Sequence, residues 1–226
     1  MKFEIQFRPA NTAVKINLND NESITTEAGC MIAKSSNISV ETTTYKKGKG
    51  SFWKSFKRIF AGENFFLNHW QSSGEGELWI SPGLSGDIVA HELKGEKIIV
   101  QSESFLASEE GIEMDTGWQG LKSLFAGEGL FWLKMEGSGT VLFNAFGEIY
   151  HRDIDGEYVV DSGHIVAFEE SLNFTVSKVG GSWIKSFFSG EGFVTRFKGK
   201  GRVWIQSHNP GNLGGLLTPF LRPKRR

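Results

Sequence analysis

Phe56-Lys-Arg-Ile-Phe-Ala-Gly-Glu-Asn-Phe65, Leu121-Lys-Ser-Leu-Phe-Ala-Gly-Glu-Gly-Leu130 and Ile184-Lys-Ser-Phe-Phe-Ser-Gly-Glu-Gly-Phe193 are three spellings of one decapeptide. Their glycines, Gly62, Gly127 and Gly190, stand 65 and 63 residues apart. Recurrence at such a period marks one supersecondary unit written three times. The similarity extends outward. Each decapeptide is followed by an apolar run, a Gly-x-Gly and a second apolar run: Phe65–Trp70, Gly74-Glu-Gly76 and Leu78–Ile80, then Leu130–Leu133, Gly137-Ser-Gly139 and Val141–Phe143, then Phe193–Phe197, Gly199-Lys-Gly201 and Val203–Ile205. Aromatic and β-branched runs on either side of glycine predict β-hairpins.

A second pair of strand-like segments precedes each decapeptide. Gly86–Val100 and Gly147–Val160 both carry a central Gly-Glu, which predicts a turn, and Val14–Leu18 with Asn19-Asp-Asn21 is a degraded version. Met31-Ile-Ala33, Phe105-Leu-Ala107 and Ile165-Val-Ala167 then fall in register. The decapeptides themselves predict short helices. Trp53, Phe56 and Phe60, like Trp118, Leu121 and Phe125, share one helical face, and each following glycine suits a left-handed cap. The expected fold is mostly β: three tandem pseudo-repeats of hairpins with short helices, forming a single domain over 1–208 (units about 1–82, 83–144 and 145–208). A unit of roughly 63 residues buries too little surface to stand alone, so the units must share a core. Residues 209–226 form a tail with a basic end, and Leu216, Leu217, Phe220 and Leu221 predict that part of it docks on the body.

Composition narrows the function. The 226 residues carry a formal net charge of −1, which removes a global pull toward nucleic acid. Hydrophobic residues at 39% and charged residues at 23% place the chain among soluble globular proteins. Nineteen Phe against three Tyr predicts a Phe-rich core. Cys30 is the sole cysteine, so neither an internal disulfide nor a cysteine metal cluster can form. No apolar run is long enough for a membrane span, and the first residues lack a signal-peptide pattern. The expected location is cytoplasmic, or peripheral at a membrane.

The Phe-Ala-Gly-Glu-Gly-Leu run, Gly86-Asp-Ile-Val89, Asp161-Ser-Gly-His-Ile-Val-Ala-Phe-Glu-Glu-Ser171 and Lys178-Val-Gly-Gly181 resemble the mitochondrial-biogenesis (altered inheritance of mitochondria) family over about 3–208. The resemblance implies a fold like that of the tryptophan RNA-binding attenuation protein (TRAP), a double-stranded β-helix-like sandwich with internal repeats. It implies no catalytic residues and no cofactor. No motif here allows the tryptophan or RNA sites of that protein to be carried over, and fold alone does not transfer function. The missing transit peptide points to an uncharacterised bacterial member.

Two residue sets are candidates for function. Gly62-Glu63, Gly127-Glu128 and Gly190-Glu191 form a repeated loop. Three carboxylates converging about a pseudo-threefold axis could hold a cation, and the simpler reading is a solvated residue after each helix cap. Tyr45–Phe60 interleaves basic and aromatic residues, with Trp53, Lys54, Lys57 and Arg58 at its centre. Such a segment can rest on an anionic membrane or grip single-stranded nucleic acid, and the simpler reading is that its aromatics pack inward. His91 and His151 align between units, but no spacing supports a metal site, and no nucleophile elbow or Walker loop occurs. The expected function is therefore a non-enzymatic scaffold or interaction protein that self-associates and meets an anionic membrane or a protein partner, with nucleic acid disfavoured. The alternative is a module that binds a small ligand or metal ion between repeats.

Overall fold

The computed structural model describes residues 1–44, 66–115, 132–178 and 193–221. The fold is mostly antiparallel β, as the sequence predicts. Its working element is a two-stranded ribbon. In the first third, β2 (Ala13–Leu18) runs against β7 (Gly76–Ile80), and β3 (Ser23–Glu27) against β6 (Phe66–Ser72). In the second, β8 (Ile88–Lys94) and β9 (Ile98–Gln101) run against the two halves of β12 (Trp132–Asn144). In the third, β13 (Ile149–Asp161) lies along β16 (Phe193–Gln206), from Ile149 opposite Gln206 to Asp161 opposite Val194.

These ribbons correct the expected hairpins. The Gly-x-Gly tripeptides are not turns between paired strands: β12 and β16 run straight through theirs, while β6 and β7 pair with other strands. The Gly-Glu pairs behave alike. β13 passes through Gly156-Glu157 unbroken, and β8 and β9, on either side of Gly95-Glu96, pair with β12. Glycine serves to bend a long strand. Gly137 has φ 123° and lies against the Gly111 carbonyl, a combination closed to residues with a Cβ.

Six short strands flank the ribbons. β4 (Met31–Lys34) pairs with β7 and β5 (Ile38–Thr44) with β6. β10 (Phe105–Glu109) and β11 (Ile112–Asp115) take the two halves of β12. β14 (Ile165–Glu169) and β15 (Asn173–Lys178) take those of β16. The ladder shifts register between Met31 and Ala33, between Phe105 and Ala107, and between Ile165 and Ala167. β1 (Lys2–Gln6) adds to β2, which completes a four-stranded sheet, β1-β2-β7-β4. The other twelve strands form one sheet, continuous because β3 pairs with β10 and β9 with β14.

Burial alternates with period 2 along β3 and most of β2, whereas β9, β10 and β14 are buried at nearly every residue. Three apolar clusters result, and each mixes neighbouring thirds. Val14, Ile16 and Ile24 pack with Ile88, Leu106 and Leu142. Leu133 and Phe143 pack with Val166 and Trp204. Phe168 and Phe197 pack with Ile99 and Trp132. Phe105, Phe143, Phe168 and Phe197 are fully buried, but aliphatic side chains outnumber them in all three clusters. The decapeptides, with their expected helices, lie outside the described residues. The helix that is described, α1 (Pro210–Leu217), starts with Pro at its first turn and is capped by Asn209, whose side chain accepts from Gly211 N at 2.8 Å.

Candidate functional site

Several strands end together, and a cavity of about 310 Å³ opens there. Glu27 closes β3, Gln101 closes β9, Asn144 closes β12 and Gln206 closes β16. Glu103 comes from the 3-10 turn Ser102–Ser104 that follows β9, and Pro210 from the start of α1. The lining thus gathers all three thirds of the chain and the tail.

Gln206 is fully committed. Its Oε1 accepts from Phe146 N at 2.9 Å, and its Nε2 donates to Gly163 O at 3.1 Å. Asn144 is one methylene shorter. Its Nδ2 reaches Glu103 O only at 3.5 Å, and its Oδ1 is buried without a hydrogen-bond partner. Burial, with the Glu103 carboxylate nearby, pushes the Glu27 carboxyl up to about 7. Next to this acid, Cys30 Sγ donates to Glu27 O at 3.1 Å, and burial raises its thiol to about 11. The thiol is therefore neutral and unreactive, as expected of a small buried hydrophobe. Two carboxyl groups and an unsatisfied amide oxygen make a cavity suited to a hydrogen-bond donor or a small cation. Among the described residues no group of three or more His, Cys, Asp or Glu side chains is placed to hold a metal ion.

Gly62, Glu63, Gly127, Glu128, Gly190 and Glu191, and the segment with Trp53, Lys54, Lys57 and Arg58, all lie outside the described residues. The aligned histidines part company. His91 is half-buried on β8, its ring 4.9 Å from that of Trp204, and burial lowers its pKa. His151 is exposed on β13. The tail also departs from expectation. Pro210 reaches the cavity, but Leu216, Leu217, Phe220 and Leu221 are exposed, because no residue of α1 is buried against the body. The cavity residues escaped the sequence reading. The available signal was position alone, since Glu27 and Gln101 close corresponding strands of two ribbons.

Ribbon geometry and this cavity define an antiparallel β protein whose strand ends converge on an acidic pocket. The chain belongs to the mitochondrial biogenesis AIM24 family, whose profile matches residues 3–208. An uncharacterised protein of Streptococcus pyogenes serotype M6 is 31% identical over 227 residues, spanning 98% of this chain and 91% of that protein. The crystal structure of a Streptococcus pyogenes protein superposes with a TM-score of 0.80 at 29% identity, covering 97% of this chain and 99% of that one. Among the described residues, no helix is long and apolar enough to cross a membrane.

Proposed function

We propose that the protein is a non-enzymatic scaffold of three related TRAP-like units in tandem, working at a membrane surface or on membrane-bound partners. The three-unit reading is supported by the register shift that falls at the aligned positions Ala33, Ala107 and Ala167. One observation carries the membrane reading. Leu216 is 71% exposed and Phe220 85%, in a short helix and turn that project four large apolar side chains. In the sequence they run directly into Arg222-Pro-Lys-Arg-Arg226. Exposed leucine and phenylalanine beside a cluster of cations suit the boundary between headgroups and acyl chains of an anionic bilayer.

Co-sedimentation with phosphatidylglycerol-containing vesicles tests this. The wild-type chain pellets with them at low salt, less so at high salt, and not with phosphatidylcholine vesicles alone. Leu217→Ser with Phe220→Ser abolishes pelleting without altering the circular dichroism spectrum. A wild-type chain that stays in the supernatant at low salt sinks the proposal.

A second reading rests on the unsatisfied Asn144 Oδ1 and the protonatable Glu27: a small donor-rich or cationic ligand held between units. Native mass spectrometry of the purified protein checks it. A bound mass that disappears in Glu27→Leu favours this reading, and a clean apo mass argues against tight binding.

A further inference from the structure

The two internal junctions are copies of one another. β3 meets β10 with Thr26 opposite Ala107 and Thr25 opposite Ser108. β9 meets β14 with Val100 opposite Ala167 and Ile99 opposite Phe168. The strand that would make a third junction from one side is the second half of β13, residues 157–161. From the other side it is β4. Among the described residues, each of these is paired along one edge only, β13 with β16 and β4 with β7.

Burial shows what is missing. Phe105 and Leu106 on β10, and Val166 on β14, are 0% exposed, and Ile165 is 1% exposed. At the matching positions of β4, Met31 is 44% exposed and Ile32 is 56% exposed. Ala107 and Ala167 are fully buried, and Ala33 is exposed. Opposite them, Ile98 and Ile99 of β9 are fully buried, while Tyr158 and Val159 of β13 are exposed. The residue type stays apolar where its cover is absent. Such an edge, with free backbone donors and acceptors, is a template for strand addition.

The geometry points to head-to-tail self-assembly, in which residues 157–161 of one copy pair antiparallel with Met31–Lys34 of the next. The internal junctions set the register: Val160 opposite Ala33, and Val159 opposite Lys34. Among the described residues the chain does not close on itself. Backbone links step from Thr12 N to Gly86 O at 3.2 Å and from Asp87 N to Gly147 O at 2.8 Å, but the corresponding Glu148 N donates to Ser207 Oγ of its own unit. A junction between unlike edges leaves a free edge at each end, so copies add until a ring closes or a filament grows. This assembly rests on the three-unit reading and is independent of membrane contact.

Light scattering after size exclusion tests it with Ile32→Asp and Tyr158→Asp, two exposed positions where the single chain tolerates a charge and the junction does not. The wild type runs as an assembly of two or more copies. Each variant alone is a monomer, and an equimolar mixture forms a dimer through the one intact pair of edges. Either variant alone remaining assembled, or a wild type monomeric throughout the micromolar range, overturns the proposal. Folding is not a confounder in a second arm. A chain carrying Lys34→Cys and Val159→Cys gives an interchain ladder on mild oxidation, whereas a cross-link confined to monomers means that the edges meet within one chain and refutes the assembly. Loss of vesicle pelleting with the assembly intact would count against the membrane reading alone.

Discussion

At the scale of single residues, Glu27 has the sharpest consequence. Burial, with the Glu103 carboxylate nearby, pushes its carboxyl in the folded state up to about 7 from an ordinary 4.5. The folded state therefore holds this proton more tightly than the unfolded one. The stabilisation is fully present below pH 4.5 and is lost as the pH rises through 7, to the extent of about 3 kcal/mol on linkage grounds. Glu27→Gln keeps the shape and removes the charge. Urea unfolding at pH 8 is expected to find the variant more stable than wild type, by up to about that amount, while at pH 5 the two come closer together. A difference that does not change with pH would show that Glu27 is not the titrating group. Asp87 matters through its hydrogen bonds. Its carboxylate is buried, but Arg8 Nε and an Arg8 terminal nitrogen donate to it at 2.9 and 2.7 Å, and Ile88 N donates at 2.8 Å. Asp87→Ala strips those donors of their acceptor, and because Arg8 stays half-exposed to water a loss of about 1–3 kcal/mol is expected in the same unfolding assay.

At the scale of elements, the long strands depend on glycine bends. Gly137 and Gly156 both have positive φ, 123° and 119°. Around Gly156 the space is open, whereas a Cβ at Gly137 would strike the Gly111 carbonyl. Gly156→Ala bears only the backbone strain, about 1–2 kcal/mol. Gly137→Ala adds a backbone clash and is expected to cost about 1–3 kcal/mol more. Chemical denaturation of the two variants side by side checks the order. Equal losses would mean that the strand relaxes freely at Gly137. These same glycines mark what the sequence could and could not convey. Apolar runs flanking Gly-x-Gly identify strands correctly, because alternation and β-branching are local properties. Whether the glycine reverses the chain or merely bends it is decided by which strands lie alongside, and that is non-local. The ladder shifts register just before Ala33, Ala107 and Ala167, three positions that carry a similar apolar-apolar-Ala pattern in the sequence. The cavity was not legible, because Glu27 meets Glu103 and Asn144 only where strands distant in sequence end together.

At the scale of the whole molecule, the apolar clusters decide how the chain comes apart. None of the three is confined to one third. Leu106 and Leu142 complete the cluster built on β2 and β7, while Ile99 and Trp132 complete the one built on β14 and β16. Separating any third would bare half of a core, and loose units of that size retain too little buried area to stay folded. Calorimetry of the monomeric Ile32→Asp variant is therefore expected to show one cooperative transition, with van't Hoff and calorimetric enthalpies in agreement. Leu106→Ala probes the shared interior directly. Its side chain is 0% exposed and lies between the first and second thirds, so truncation is expected to cost about 2–5 kcal/mol. The whole transition should move down in temperature. If a second, unshifted transition separates instead, the third unit folds without its neighbours, and the clusters are contacts between independent modules.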